Sequence, residues 1–250
     1  MKNIQKIVFF GGGALLGSII DKLLKSNFQK SRIFIVTSER HSKEKIKDKI
    51  TLINFLNRNK IDFKICKKLS IKEIKKKIYI KKTLFVSIGS PWIFNSEFIK
   101  SVGNEIYNIH GSQLPMNRGG GGFTWQILQD DTKGYVSLHK VVTGIDKGDI
   151  ILTKSFVTKK CRNPLEFQNL YIKEASNLFM KFLKKKNKKV KINSKKQNEN
   201  LSSYWPRLNT QIHGWINWDW TAQEISKFIK GFDDPYVGAH TTINNKIIYL

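Results

Sequence analysis

The sequence predicts an α/β fold, with a Rossmann-like, mostly parallel sheet followed by a small C-terminal extension. Short apolar runs alternate with segments in which apolar residues recur at helical spacing, and glycines follow the first run. This βαβαβ order implies right-handed crossovers and a ligand site at the carboxyl ends of the strands. Beyond the alternating part, two strands follow one another directly.

The alternating elements occupy the N-terminal part of the chain. Asn95 is expected to cap the last of the helices, because its side chain can accept a backbone N–H of the first turn. The predicted strands are 6–10, 33–36, 84–88 and 106–109, and the predicted helices are 14–24, 43–55, 70–80 and 97–102.

The second part predicts a hairpin-like pair and a long helix. Strands at 135–142 and 149–156 flank a loop centred on residues 144–148. An amphipathic helix covers 164–186, and its terminal lysines suit a helix C-terminus.

Composition divides the chain into three regions. Residues 181–200 contain nine lysines and few apolar residues, which is typical of a solvated segment. We therefore expect a catalytic domain over 1–186, a Lys-rich linker over 187–201 and an aromatic-rich subdomain over 202–250, with a helix at 222–230.

The formal net charge of +26 raises the question of nucleic-acid binding, since clustered cations bind phosphates with release of counterions. Of the 45 basic residues, 39 are lysines, whereas specific phosphate and base contacts favour the bidentate guanidinium of arginine. Such an excess of lysine is what an AT-rich genome imposes on exposed positions. We expect no specific nucleic-acid partner, although the charge would steer anionic substrates.

Nothing in the sequence indicates export or membrane insertion. No apolar run approaches the roughly 18 residues of a membrane span, and the N-terminus leads into a glycine turn rather than a cleavage site. Cys66 and Cys161 have no close Cys or His companions for a zinc site. These features predict a cytoplasmic protein without a membrane partner or a structural metal.

The glycine-rich turn imitates a dinucleotide-binding fingerprint without matching it. After Gly11 and Gly13, the G-x-G-x-x-G pattern requires glycine where Leu16 stands, and no acidic residue ends the second strand. Two interpretations stay open. The turn is one that only glycine permits, or the backbone N–H groups of Gly12 and Gly13 hold a substrate phosphate.

The most informative stretch is Asn108-Ile109-His110-Gly111-Ser112-Gln113-Leu114-Pro115, followed by Arg118 and four glycines at 119–122. Strand alternation places Asn108 and His110 on the same face, so both side chains can address one reacting atom. An Asn-x-His pair alone is common, and its surroundings make it informative.

This stretch resembles the Asn-x-His-x-Ser-x-x-Pro signature of the 10-formyltetrahydrofolate-dependent formyltransferases. Asp146, in Ile145-Asp146-Lys147-Gly148-Asp149, lies where that family has its catalytic aspartate. The similarity is close over residues 80–156 and looser over the N-terminal βαβ region. The family includes methionyl-tRNA, glycinamide ribonucleotide and nucleotide-sugar formyltransferases.

The resemblance implies formyl transfer from 10-formyltetrahydrofolate to an amine, catalysed by Asn108, His110 and Asp146. Asn108 and His110 can donate hydrogen bonds to the oxyanion of the tetrahedral intermediate. Asp146 can orient the imidazole or accept the amine proton, directly or through a water. Asp149 is the competing carboxylate, and a turn aspartate at 146 without a catalytic role is the alternative.

The resemblance also implies a folate site, in which backbone groups of two segments bind the pterin and Trp92 covers the ring. Ordinary packing is the alternative for Trp92 and Phe94. The two segments are Ser90, Pro91, Trp92, Ile93 and Phe94, and Val142, Thr143, Gly144 and Ile145.

The C-terminal region bears on the acceptor amine. Methionyl-tRNA formyltransferases have a β-barrel domain here, and the residues after 202 resemble only its start, whereas glycinamide ribonucleotide formyltransferases end soon after the long helix. The aromatic tail is most similar to the nucleotide-sugar enzymes. That similarity implies a nucleotide-linked amino sugar as substrate and a role in lipopolysaccharide O-antigen biosynthesis.

Three residues are candidates for binding this acceptor. Trp205 could stack on the base, Arg207 could bind the diphosphate, and Arg118 is a further candidate. Alternatively, the C-terminal tryptophans are the core of a small subdomain. A methionyl-tRNA acceptor, a homodimer and a non-catalytic nucleic-acid-binding protein on the same fold are the open alternatives.

Overall fold

The structure is a computed structural model that describes residues 4–47, 50–75, 78–120, 122–188 and 190–250. None of the helices in these ranges combines the length and the apolar composition needed to cross a membrane. The strands are β1 Lys6–Gly11, β2 Ile33–Thr37, β3 Lys45–Lys47, β4 Ile50–Thr51, β5 Asp62–Ile65, β6 Thr83–Ile88, β7 Ile106–His110, β8 Arg118–Gly119, β9 Lys133–Lys140, β10 Ile150–Val157, β11 Tyr204–Trp205, β12 His240–Ile243 and β13 Lys246–Tyr249. The helices are α1 Gly13–Lys25, α2 Glu39–Lys43, α3 Leu52–Arg58, α4 Ile71–Lys75, α5 Ser96–Ser101, α6 Gly122–Leu128, α7 Pro164–Asn187, α8 Thr210–His213 and α9 Ala222–Phe232.

Seven strands form the central sheet, in the order β10-β9-β7-β6-β1-β2-β5. The five strands from β7 to β5 in this order pair in parallel, whereas β9 runs antiparallel to β7. The predicted α/β fold with a mostly parallel sheet and a small C-terminal extension is therefore confirmed. Each predicted strand lies within two residues of its observed bounds.

The sheet is held together by strands that are apolar on both faces, as expected where helices cover both sides. Residues 7–10 of β1 are completely buried. The Phe10 ring contacts those of Phe85, Phe94 and Phe98, at centroid distances of 6.1, 5.5 and 5.6 Å. Because Phe98 belongs to α5 and Phe94 to the loop before it, Phe10 holds both elements against the sheet.

Strand β7 presents alternate residues to two different surroundings. Ile106 packs into the core cluster that contains Phe98 of α5. Tyr107 faces the other way, and its ring centroid lies 4.9 Å from that of Phe182 in α7. The face of β7 that carries Ile106 is called the α5 face below.

Tyr107 also anchors the end of α7. Lys186 Nζ donates a hydrogen bond of 2.6 Å to the Tyr107 hydroxyl. Burial, together with the nearby Glu105 carboxylate, raises the pKa of the phenol far above its ordinary value, so this hydroxyl stays protonated at neutral pH.

The helix predicted over 43–55 is wrong in its first half. Residues 45–47 and 50–51 pair as the hairpin β3–β4, and α3 begins only at Leu52, capped by Thr51. Ile46 of the hairpin is buried against Gly17 of α1. This tertiary contact outweighs the helical spacing of the sequence.

Other predictions of helix and strand met with mixed outcomes. α5 begins after Asn95, whose Oδ1 accepts the Phe98 backbone N–H at 2.8 Å, as predicted. The helix predicted over 70–80 ends at Lys75, and residues 76, 77, 121 and 189 lie outside the described ranges. Strand β5, which the sequence pattern did not indicate, pairs with β2.

The chain divides into two compact units. Unit 1 comprises Met1–His110, Val136–Lys154 and Ile172–Gln197, and unit 2 comprises Gly111–Tyr135, Ser155–Tyr171 and Asn198–Leu250. In unit 2, Phe228 and Phe232 of α9 form a core cluster with Ile216 and Ala239.

The boundaries of these units differ from the regions predicted from composition, because part of the Lys-rich 187–201 region belongs to unit 1. The backbones of Lys195 and Ile150 exchange two hydrogen bonds, of 2.8 and 2.9 Å. The backbone at Lys195 is therefore bound to the start of β10, although the side chains of residues 193–196 are exposed.

We expect Phe10→Ala to lower the free energy of unfolding by about 3–5 kcal/mol, because it leaves a cavity beneath α5. Urea denaturation followed by circular dichroism measures the loss, and Phe10→Leu, which keeps most of the volume, should lose clearly less. Equal stability of Phe10→Ala and the wild type would show that Phe10 does not hold α5.

Candidate active site

The carboxyl end of β7 brings Asn108 and His110 to the α5 face of the sheet. Alternation along the strand puts both on the same side as Ile106. In the register of the sheet, Asn108 pairs with Ser87 of β6 and with His139 of β9. His139 therefore lies on the strand next to Asn108. The segment that follows β6 begins on the neighbouring strand at the other side.

Asp146 reaches the same face from the loop between β9 and β10. Its Oδ2 lies 3.5 Å from His110 Nδ1, and its Oδ1 lies 3.3 Å from Asn108 Nδ2. The structure thus places Asp146 in contact with both of the other predicted catalytic residues. Asp149, the competing carboxylate, instead accepts a hydrogen bond from Ser194 Oγ at 3.2 Å.

His139 is a fourth polar group of the site that the sequence analysis missed. Its Nε2 lies 3.1 Å from Asn108 Nδ2 and 3.3 Å from Asp146 Oδ1. Its Nδ1 lies 2.7 Å from the Lys140 carbonyl oxygen, which can only accept, so Nδ1 carries a proton. This bond orients Nε2 toward the site. Because side chains alternate along a strand, His139 is expected on the same face as Val141, which packs against the core. The sequence could not show which residue His139 contacts there.

The carboxylate of Asp146 is largely withdrawn from water. The exposed fractions of the Asp146, His110 and His139 side chains are 13%, 14% and 2%. A carboxylate in such a position needs hydrogen-bond donors or positive charge around it, and the amide and the two imidazoles occupy these positions.

The backbone of the Asp146 loop is unusual at three positions. Asp146 has a φ of +51°, in the left-handed region that aspartate tolerates better than most residues, and Gly144 has a φ of +106°. A Cβ at Gly148 would lie 1.8 Å from the Lys140 carbonyl oxygen. Gly144, Asp146 and Gly148 therefore suit the turn that presents the carboxylate.

The two segments proposed to bind folate lie in unit 1 and carry exposed apolar side chains. Ile93 is 80% exposed, and Val142 and Ile145 are 40% and 43% exposed. Isolated exposed apolar residues are common on protein surfaces. Here they lie in the segment before α5 and in the loop that leads to Asp146.

A cavity of about 660 Å³ adjoins the first of these segments, within the size range of small-molecule sites. Residues 91–94, the start of α5 and residues 68–72 line it. Trp92 is fixed in its wall, because its indole N–H donates to the Lys67 carbonyl at 2.9 Å.

The glycine-rich turn is a point of close backbone approach. A Cβ at Gly11 would lie 2.0 Å from the Ile88 carbonyl oxygen, and one at Gly12 would lie 2.6 Å from His41 Cβ. Gly13 opens α1 with a φ of +82°. These contacts explain the glycines at 11–13 structurally, and phosphate binding by Gly12 and Gly13 stays a prediction.

The predicted acceptor residues Arg118, Trp205 and Arg207 lie together in unit 2. Strands β8 and β11 pair Trp205 with Gly119, and the ring of Trp205 is 6% exposed and stacks on Trp125 at 6.3 Å. Arg118 is likewise buried and donates two hydrogen bonds, of 3.0 and 2.8 Å, to the Glu199 carboxylate.

These surroundings distinguish Trp205 and Arg118 from ordinary surface residues. The burial of Trp205 agrees with the alternative interpretation, in which the C-terminal tryptophans form the core of a small subdomain. The Arg118 guanidinium is already bound to the Glu199 carboxylate.

Within the described ranges, no cluster of His, Cys, Asp or Glu has the arrangement of a metal centre.

Comparisons with known proteins show the family to which the chain belongs. The profile described as Formyl transferase matches residues 5–180, and the profile described as Formyl transferase, C-terminal domain, matches residues 209–250. Methionyl-tRNA formyltransferase of Rickettsia massiliae is 33% identical over 143 residues, which cover 57% of this chain and 46% of the relative. The chain spans about half the length of the curated relatives it matches.

Solved structures show the same fold. WlaRD, a sugar 3N-formyl transferase studied with dTDP and 5-N-formyl-THF, has a TM-score of 0.76 and 24% identity, covering 98% of this chain and 84% of its own. An N-formyltransferase from Helicobacter canadensis, in complex with folinic acid and dTDP-3-aminofucose, has a TM-score of 0.74 and 21% identity, covering 91% and 80%. Since the first profile covers well over half of the chain, the protein belongs to the formyl transferase family.

Proposed function

We propose that this protein transfers the formyl group of 10-formyltetrahydrofolate to the amino group of a sugar linked to a nucleoside diphosphate. The observation that carries the proposal is the convergence of Asn108, His110 and Asp146, with contacts of 3.3 and 3.5 Å, on one face of the sheet. Membership of the formyl transferase family supports the reaction type.

The reaction needs no nucleophile from the protein. The lone pair of the amine attacks the formyl carbon, whose carbonyl oxygen becomes an oxyanion. When this intermediate collapses, the bond from carbon to N10 of the folate breaks. The acceptor nitrogen loses one proton, and N10 gains one.

His110 is suited to stabilise the oxyanion. Its Nδ1 faces Asp146, so we assign Nε2, on the other side of the ring, as the donor to the developing negative charge. The carboxylate keeps the ring in this orientation and stabilises a positive charge on it.

Asn108 is the second candidate donor. Its amide nitrogen lies 3.3 Å from Asp146 Oδ1 and 3.1 Å from His139 Nε2. The contact with Asp146 is long for a hydrogen bond, and contacts at catalytic sites often tighten or rearrange only when substrate binds. One of the two amide hydrogens can therefore move to the oxyanion.

Asp146 is the group that accepts the proton of the attacking amine, directly or through a water. It is the carboxylate within reach of both His110 and Asn108, and His139 limits the positions that its side chain can take. Because the Asp146 side chain is only 13% exposed, few water molecules compete with the amine for its carboxylate oxygens.

We expect His110→Ala, Asp146→Asn and Asn108→Ala each to lower kcat by at least about 10²-fold, as the loss of an acid–base or oxyanion group typically does. Steady-state formyl transfer measures the loss, and circular dichroism confirms the fold.

Asp149→Asn is the matched control for the assignment of the carboxylate, because it changes the neighbouring acid of the same loop. Its kcat should stay within a few-fold of the wild type. If Asp149→Asn were damaging and Asp146→Asn harmless, Asp146 would not be the proton acceptor.

Folate binding along segments 90–94 and 142–145 is supported by their exposed apolar residues and by the adjoining cavity. The WlaRD and Helicobacter canadensis structures contain a formylated folate. The fixed indole of Trp92 offers a rigid surface for an aromatic ring.

We expect Trp92→Ala to raise KM for 10-formyltetrahydrofolate by about tenfold, the equivalent of roughly 1.4 kcal/mol of lost contact. KM for the acceptor should stay within twofold, and Trp92→Phe should give an intermediate value. An increase confined to the acceptor KM would place the folate elsewhere.

The amino-sugar acceptor is supported by the nucleotide ligands of the similar structures, dTDP and dTDP-3-aminofucose. The surroundings in unit 2 favour Arg207 over Arg118 as the residue that meets a diphosphate, because Glu199 already binds the Arg118 guanidinium. Methionyl-tRNA is the second candidate acceptor, because the curated relatives that match 143 residues of this chain are methionyl-tRNA formyltransferases.

A panel of nucleotide-linked amino sugars and initiator methionyl-tRNA should show turnover of an amino sugar and at most trace turnover of the tRNA. Duplex DNA and bulk RNA should bind weakly and release steeply between about 50 and 200 mM salt, whereas formyl transfer should persist. Turnover of the tRNA alone would refute the sugar acceptor. Selective nucleic-acid binding that survives the salt would favour a binding protein.

A further inference from the structure

Residues 194–197, called here the strap, cross the loop that carries Asp146. Ser194 Oγ donates to the Asp149 carboxylate at 3.2 Å, and the Lys195 backbone pairs with that of Ile150. Gln197 makes the closest approach to the catalytic position. Its side-chain Nε2 donates to the carbonyl oxygens of both Asp146 and Gly148, each at 2.7 Å.

Gln197 differs from the other members of the strap in its burial. It is 6% exposed, whereas the residues on either side are exposed. Burying a primary amide is costly unless its N–H groups are bonded, and here the two carbonyl oxygens of the loop satisfy them. The contact is therefore an ordered feature of the interior of unit 1.

The loop needs such support. Asp146 is held at a φ of +51°, a conformation that costs an L-residue free energy and persists only where its surroundings impose it. The preceding residues 142–145 are exposed and offer little packing. Fixing the carbonyl groups on either side of Lys147 fixes the peptide units that orient the Asp146 carboxylate.

We infer that Gln197 is a positioning residue for formyl transfer, holding the backbone of Asp146 so that its carboxylate meets His110, His139 and Asn108. The expected effect on kcat rests on the proposed function. The expected effect on the order of the Asp146 loop rests on the contacts alone. Both parts can be measured separately.

The kinetic test replaces Gln197 by Met, which keeps the length and packing of the side chain and removes both hydrogen bonds. We expect kcat to fall about 10- to 100-fold, since small displacements of a catalytic group have effects of this size. KM for donor and acceptor should stay within twofold. Lys196→Ala, which changes the exposed neighbour, is the control and should leave kcat unchanged.

A double variant separates positioning from general damage. In an Asp146→Asn background, Gln197→Met should lower kcat by less than twofold further, because its effect acts through the carboxylate. A full additional loss in that background, or an unchanged kcat in the single variant, would overturn the inference.

A structural test does not depend on catalysis. In Gln197→Met, amide hydrogen exchange over residues 142–149 should quicken, and the imidazole NMR signals of His110 and His139 should shift, with neither change in Lys196→Ala. Unchanged exchange and unchanged imidazole signals would refute the positioning role. Absence of formyl transfer in the wild type with these changes present would instead refute the proposed function alone.

Discussion

The site depends on the burial of one carboxylate. Asp146 is only 13% exposed, and the free energy of burying its charge is offset only if donors surround it. This requirement explains why two neighbouring strands, β7 and β9, supply polar groups at the point that the Asp146 loop reaches. The loop that brings the carboxylate there has a left-handed residue at 146, a positive φ at Gly144 and no room for a Cβ at Gly148.

The rest of the sheet makes that burial possible. The aromatic cluster around Phe10 holds α5 and its preceding loop against the sheet, so Trp92 and the cavity beside it have fixed walls. On the opposite face, Tyr107 is tied to α7. Asn108 and His110 therefore project from a strand that is packed on both sides, which gives the precise placement that their proposed role as oxyanion donors requires.

The sequence was sufficient for features that local patterns determine. The apolar runs predicted six of the seven strands of the central sheet, Asn95 predicted the start of α5, and the stretch from Asn108 to Pro115 pointed to the end of β7. It was insufficient where a tertiary contact decides. Ile46 packs against Gly17 and replaces part of a predicted helix with a hairpin, and His139 enters the site through an antiparallel register that periodicity cannot supply.

Gln197 shows the same limit most clearly. It stands in a segment of lysines and asparagines whose composition indicates a solvated linker. Composition describes the segment as a whole and does not reveal that one of its residues is buried. One amide with two donors, placed opposite two carbonyl groups, is enough to fold the end of that segment into unit 1. The neighbouring lysines, Lys191, Lys195 and Lys196, stay exposed, as the composition of the segment predicts. Because the bonds run from a side chain to backbone carbonyl groups, they do not depend on the side chains of Ile145 and Lys147.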